Sequence, residues 1–256
     1  MLISVITPTA ERAKYLQGTY ELLKQQSYTH WEWLVYDTSL HPTPFSDPRV
    51  TYIYDEGIVS IGEKRNRLVQ RAKGELIVHF DDDDYYAPTY LENAIQHLAA
   101  TDFFTISSWF SYDTKTCQFY YWNTEESGEV RYILSPMAGA LVREIDLGPY
   151  SEKQSNLLNS HARTGYGFSF AYRREVLQKC HFDDIDFAED HHFYQAIEAA
   201  GYSINAAADQ QGIVVHVIHD SNTSTEYPQY RIPRFLMEPL LSGFFPYLTQ
   251  FHVHEN

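Results

Sequence analysis

The residues best suited to chemistry are four consecutive carboxylates, Asp81, Asp82, Asp83 and Asp84, closing the apolar run Leu76-Ile77-Val78-His79-Phe80. A short apolar run reads as a buried strand, so the acids fall at its C-terminal edge. Pro88 follows, and proline suits the first turn of a helix. Like charges this close repel unless something compensates them. A divalent cation held by oxygen ligands does so, and carboxylates that leave room for substrate phosphates suit Mg²⁺ or Mn²⁺. The plainer reading is a solvated acidic turn capping the next helix, and for Asp84 the cap is the better reading. The crevice outside C-terminal strand ends is where open α/β sheets bind ligands, which favours the metal for the others. Asp37 ends a second apolar run, Trp31 to Tyr36. Its carboxylate either accepts the imide N–H of uracil or thymine or initiates the turn Asp37-Thr38-Ser39, and the two can coexist. Lys64 and Arg65 open a basic helix aimed at the same crevice and suit a nucleotide or its phosphates. Arg67 and Arg71 read as its solvated face.

The elements that position these groups alternate. Strands are expected at Leu2 to Thr7, Trp31 to Tyr36, Val50 to Tyr54 and Leu76 to Phe80. Helices are expected over 11–26, Gly62 to Lys73 (stopped by Gly74) and Pro88 to Ala100. Strand–helix–strand repetition predicts a parallel sheet with right-handed crossovers. From Phe103 the texture changes to antiparallel strands, Phe103 to Ile106 and Gln118 to Trp122. Residues 143–163 are polar and suggest a loop over a site. A strand at Phe168 to Tyr172, a short helix at Arg173 to Lys179, a helix at Asp190 to Ala200 and a last strand at Ile213 to Ile218 follow. The tail from Tyr227 carries Pro228, Pro233, Pro239 and Pro246 among apolar clusters. Packing on its own domain is the first expectation, with a weak partner or membrane-surface contact as the alternatives.

Bulk properties bound the function. The 256 residues suffice for one large domain. Formal net charge is -15, from 19 Lys+Arg against 34 Asp+Glu, which argues against a nucleic-acid polymer as partner, because phosphate backbones need a basic footprint. Twenty-one tyrosines suit flat sugar or base faces, or simply an aromatic-rich core. Cys117 and Cys180 are far apart and in no metal spacing, which fits a reduced, cytoplasmic protein. No run reaches transmembrane length.

Several motifs, taken in order, resemble family 2 glycosyltransferases of the GT-A fold. Ser4-Val5-Ile6-Thr7-Pro8-Thr9 resembles the first strand and nucleotide loop. Gln26 to Asp37 resembles the second strand with its base-reading Asp, although the family often has a second acid where Thr38 stands here. Gly62-Glu63-Lys64-Arg65-Asn66 resembles a G-x-x-R-N helix start, and Asp81-Asp82-Asp83 the metal-binding D-x-D. Gly167 to Glu175 resembles the acceptor-side strand, Glu189-Asp190 the catalytic helix start, and His219-x-x-Asn222-Thr223-Ser224 the closing H-x-x-N-T-S. The joint order and spacing over residues 2–224 carry the resemblance.

The resemblance implies an α/β, Rossmann-like, mostly parallel central sheet flanked by helices, with a small antiparallel sheet. It implies a domain over 1–224, with a nucleotide-sugar half over about 1–100 and an acceptor half over 101–224, and a tail over 225–256. The implied activity is metal-dependent, inverting transfer of a hexosyl or deoxyhexosyl group in glycan or polysaccharide synthesis. The donor would be a nucleoside diphosphate sugar, uridine or thymidine favoured, and the acceptor a glycan, lipid-linked or protein hydroxyl. Thr7, Pro8, Thr9, Glu11, Asp37, Lys64, Arg65, Asp81 and Asp82 would then hold the donor. Asp83, Asp81 and His219 would hold Mn²⁺ or Mg²⁺. Asp190, with Glu189 beside it, would be the catalytic base. Alternatives are a catalytically inactive nucleotide-sugar-binding module, disfavoured by Glu189-Asp190, and a sugar-1-phosphate nucleotidyltransferase, which would want a Gly-rich loop where Thr7 to Arg12 stand. A haloacid-dehalogenase phosphatase carries its acid pair on the first strand, and a terpene-synthase acidic motif lies on a helix; neither fits.

Overall fold

A computed structural model describes residues 1–124, 130–134, 142–146, 166–220, 222, 226–227 and 230–251. Four apolar runs set its frame: β1 (Ile3–Thr9), β2 (Trp31–Asp37), β3 (Val50–Tyr54) and β4 (Leu76–His79). They lie parallel in the order β4-β1-β2-β3. Alternate side chains enter opposite layers, as strand geometry requires. Ile3, Val5, Trp33, Val35, Leu76 and Val78 join one cluster, and Ile6, Leu34, Tyr36 and Ile77 join the other. With both faces covered, the strands read as unbroken apolar runs. Helices α1 (Ala13–Lys24) and α3 (Tyr90–His97) cover the first layer through Leu16, Leu22, Leu23, Leu91 and Ala94. Helices α2 (Ile61–Val69) and α4 (Glu189–Ala199) cover the second through Leu68, Val69, Phe193 and Ile197.

Beyond β4 the sheet reverses direction. β10 (Ala171–Arg173) runs antiparallel between β4 and the long β6 (Phe103–Asp113). β7 (Gln118–Asn123) pairs antiparallel with β6, while β11 (Ile204–Ala208) and β12 (Val214–Ile218) pair parallel with it. β5 (Tyr85–Tyr86) adds to β12 and β14 (Tyr230–Ile232) to β7. A separate antiparallel sheet joins β8 (Val130–Leu134), β9 (Val142–Asp146) and β13 (Glu226–Tyr227). The expected α/β architecture is therefore present: a central sheet with a parallel half, helices on both faces, and a small antiparallel sheet.

Local differences have physical reasons. α2 ends at Val69, before Gly74. Gly74 serves close approach instead: a Cβ there would lie 2.5 Å from the Ser4 amide nitrogen. Residues 167–169 and 174–178 are 3₁₀ turns flanking a strand that begins only at Ala171. α3 starts at Tyr90, with Thr89 at the N-cap, so Pro88 lies outside it and Asp84 caps nothing. β5, β8, β9 and β11 were not expected, β9 taking residues 143–146 of the expected loop, and β12 is followed by two further strands. The tail forms α5 (Arg234–Leu240) and α6 (Phe244–Phe251). Met237, Leu241, Phe244, Tyr247, Leu248 and Phe251 are buried in the first layer, whereas Phe235 is 70% exposed. Among the described residues no helix is long and apolar enough to cross a membrane. The expected loop lies outside the described residues from 147 onward, as do Thr223, Ser224 and Pro228.

Candidate active site

The parallel strands end together. Thr9 pairs with Asp37 across β1 and β2, and His79 of β4 pairs with Ile6, so the chain leaves β4 for Asp81 at the same edge. Lys64 from the first turns of α2 ties this edge together. Its buried ammonium donates to Thr9 O at 2.9 Å and Thr38 Oγ1 at 2.8 Å. Desolvation lowers its pKa, against the pull of Asp37 and Asp82. Asp37 is buried and already engaged. Its Oδ1 accepts the Ser39 N–H at 2.8 Å and Ser39 Oγ, and its Oδ2 accepts the Tyr52 hydroxyl. The Asx turn and the strand-end carboxylate thus coexist. Glu11 holds the facing loop: its N–H donates to Ser39 Oγ and its Oε1 accepts the Leu40 N–H, both at 2.6 Å. Thr7 is fully buried, donating to Phe80 O at 2.7 Å and accepting from Trp33 Nε1 at 2.9 Å, so it locks β1 to β4 and β2. Pro8 is half-buried in β1.

Each of the four acids faces a basic side chain, Asp82 and Asp83 sharing Arg12. Asp81 Oδ1 lies 3.3 Å from Arg65 Nη2. Burial pushes its carboxyl up to about 7 against that charge. Asp82 accepts Thr9 Oγ1 at 2.5 Å and Arg12 Nη1 at 2.9 Å. Burial and the neighbouring Asp83 push it up to about 6. Asp83 Oδ2 accepts Arg12 Nη1 at 2.6 Å and lies 3.0 Å from His219 Nε2. Burial opposes its ionisation, but the His219 hydrogen bond and Arg12 charge outweigh that and hold it below the usual carboxylate range. Tyr15 stacks on His219. Asp84 is fully buried; it accepts the Val217 N–H at 2.9 Å and faces His216 Nδ1 at 2.9 Å. Against desolvation, Asp84 pushes His216 up to about 9, so the imidazole carries a proton at neutral pH.

Arg65 links this cluster to α4. It is 4% exposed, contacts Asp81 and bonds Glu189 Oε1. Burial raises the Glu189 pKa against that pairing. Asp190 is half-buried at the start of α4. It accepts the Gly167 N–H at 2.8 Å and the His191 N–H at 2.7 Å. Gly167 lies between the two groups: a Cβ there would fall 2.8 Å from Arg65 Nη1 and 3.0 Å from the Asp190 Cβ.

The donor set suits a hard divalent ion: carboxylate oxygens with one imidazole. Asp81 Oδ2 and Asp83 Oδ1 accept no hydrogen bond among the described residues, so two oxygens of the D-x-D stand available. No group of three acidic, His or Cys side chains already stands in a ligating arrangement among those residues. All the residues singled out from the sequence thus meet at one edge or, like Thr7, just beneath it. Sequence reasoning missed Arg12, His216 and Tyr52. Their partners lie 71, 132 and 15 residues away, and only the strand order brings them together. A cavity of about 210 Å³ lined by His97, Phe104 and Asp209 includes none of these residues.

The family model described as glycosyl transferase family 2 matches residues 4–180, spanning Thr9, Asp37, Lys64, Arg65 and the four acids. The chain belongs to that family. Among its relatives in the family, the putative colanic acid biosynthesis glycosyl transferase WcaA of Escherichia coli (strain K12) is 30% identical over 104 residues, 38% of this chain and 37% of that protein. The putative teichuronic acid biosynthesis glycosyltransferase TuaG of Bacillus subtilis (strain 168) is 28% identical over 105 residues, 38% of this chain and 42% of that one. The chain therefore spans less than half the length of these curated relatives. S. aureus TarS 1-349 superposes with a TM-score of 0.56 at 18% identity, covering 85% of this chain and 60% of that one. Mannosyltransferase PcManGT from Pyrobaculum calidifontis gives 0.55 at 18%, covering 84% and 56%. At such identities the likeness shows the shared GT-A fold.

Proposed function

We propose that this family 2 glycosyltransferase moves a hexosyl or deoxyhexosyl group from a nucleoside diphosphate sugar to a hydroxyl of a glycan acceptor, inverting the anomeric centre. The observation that carries the reading is the meeting of Asp37, Lys64, Asp81, Asp83 and His219 at one sheet edge, with Arg65 and Gly167 joining them to Asp190. Residues 1–100 form the donor half, 101–224 the acceptor half and 225–256 the tail. Thr9, Asp37 and Lys64 hold the nucleotide, with uridine or thymidine favoured by Asp37, and Arg65 fixes the acids below the diphosphate. TarS has been solved with UDP and with UDP-GlcNAc, which supports a uridine donor, and PcManGT with GDP-Man and Mn²⁺, which supports a metal. The names of WcaA and TuaG support a role in polysaccharide synthesis.

Asp83, Asp81 and His219 would hold Mn²⁺ or Mg²⁺, which stabilises the charge growing on a leaving diphosphate. The chain's own work lies opposite. Asp190 takes the proton of the acceptor hydroxyl as its oxygen attacks the anomeric carbon, and the bond to the diphosphate breaks. Glu189, held by Arg65, keeps α4 in place, and the Gly167 N–H aims Asp190. A thermal-shift screen of nucleotide sugars with and without Mn²⁺ tests the reading, since ligand binding raises apparent stability by mass action. Uridine or thymidine diphosphate sugars are expected to raise the midpoint most when Mn²⁺ is present. No shift with any nucleotide sugar would overturn the proposal.

A further inference from the structure

We propose that Arg12 is a built-in counter-ion of the Asp82–Asp83 pair that a divalent cation must displace, and that the displaced guanidinium then serves the donor diphosphate. The inference rests on the donor and metal reading above. Arg12 Nη1 touches both acids, at 2.9 Å from Asp82 Oδ1 and 2.6 Å from Asp83 Oδ2. The oxygens open to a cation, Asp81 Oδ2 and Asp83 Oδ1, therefore stand beside a positive charge already in place. Two cations that close repel strongly in a partly buried site. Metal binding and the Arg12 contact therefore oppose one another.

Arg12 is the more exposed arginine of this cluster, whereas Arg65, 4% exposed, also holds the buried Glu189. Arg12 keeps 24% of its side chain exposed. Its planar fork donates to carboxylate or phosphate oxygens with the same geometry, which a lysine does not reproduce. The backbone aims it. Glu11 just before it adopts a left-handed conformation, φ 56°, uncommon for a non-glycine residue. Ser39 Oγ and the Leu40 N–H hold that corner. Both belong to the loop that opens with Asp37, so a nucleotide docking at Asp37 meets the anchor of Arg12.

Isothermal titration of the full chain with Mn²⁺ alone, and with UDP in the presence of Mn²⁺, tests this. Arg12→Gln is expected to bind Mn²⁺ about tenfold tighter than wild type, an ordinary size for coupled sites, and UDP more weakly. Arg12→Lys keeps the charge and is expected to stay near wild type toward Mn²⁺. Equal Mn²⁺ affinity in wild type and Arg12→Gln overturns the displacement and leaves the metal reading standing. Unchanged UDP affinity overturns the hand-over to the diphosphate. No Mn²⁺ binding in either protein overturns the metal reading and this one together. Should Arg12→Gln fail to fold, Mg²⁺ titration of wild type with ¹⁵N-labelled arginine decides. The Arg12 guanidinium signal is expected to shift, and a signal that stays put while Mg²⁺ binds overturns the proposal.

Discussion

Asp190 accepts two backbone N–H groups, so replacing it with Asn keeps one acceptor and turns an amide toward the other donor. Losing one such bond costs about 1 kcal/mol, a modest loss of stability. Asp190→Asn is expected to keep UDP binding and lose turnover by roughly 10²–10⁴-fold, the usual size of general-base catalysis. Wild-type turnover in a single-turnover assay would remove Asp190 as the base. Asp37→Ala is expected to weaken UDP binding by about 1–3 kcal/mol in calorimetry; tighter binding of guanosine diphosphate than of UDP by wild type would reverse the base assignment. Asp83 needs a revision of what its charge alone implies. Four clustered acids suggest that Asp83→Ala relieves repulsion and stabilises the metal-free protein. Here that change strips Arg12 and His219 of a shared partner, so the thermal midpoint is expected to fall. Glu189 and Asp190 were legible only through the family resemblance, whereas Asp37 and the run from Asp81 were legible because they close apolar runs. Their partners were not, because a lone Arg or His carries no local signal of a contact 71 or 132 residues away.

At the scale of elements, legibility followed burial. β1, β2 and β4 could be placed to within a residue or two because both faces are covered and the runs are unbroken. β11, Ile204-Asn205-Ala206-Ala207-Ala208, has no buried residue and no apolar alternation to betray it. β5 has two residues and exists only because β12 lies beside it. α6 has an apolar face that proved to be core. Phe244 is fully buried against Tyr85, Tyr112 and Phe119, and Phe244→Ala is expected to cost about 3–5 kcal/mol in urea unfolding. His97 joins three elements: it ends α3, stacks on Phe104 of β6 and meets Asn205 of β11 through Nδ1 at 3.0 Å. Burial lowers its pKa. The unfolded chain, with a value of about 6.5, then binds the proton more readily than the native one, so stability present above that pH is lost as pH falls through it. Thermal midpoints are expected to drop more between about pH 7 and 5 in wild type than in His97→Gln. Parallel pH profiles would remove His97 from the account.

For the molecule as a whole, charge and site oppose each other. The chain carries -15, and its proposed substrate is an anion. Arg12, Lys64 and Arg65 offer local attraction inside a repulsive far field, and salt screens the far field first. The donor KM is expected to fall as ionic strength rises from about 0.01 to 0.15 M, and a KM that climbs steadily would show that the local cations dominate the approach.

Asp84 and His216 form a buried ion pair whose members lie 132 residues apart, and the Tyr247 hydroxyl, donating at 3.0 Å to Asp84 O, lies 163 residues from that turn. During synthesis at 5–20 residues per second, the aspartate leaves the ribosome roughly 7–26 s before its histidine exists. Throughout that interval Asp84 cannot be buried ionised without an uncompensated charge, whereas Arg12 and Arg65 are already present for Asp81, Asp82 and Asp83. Completion of the acid turn is therefore expected late in the life of the chain, once His216 and Tyr247 have been added.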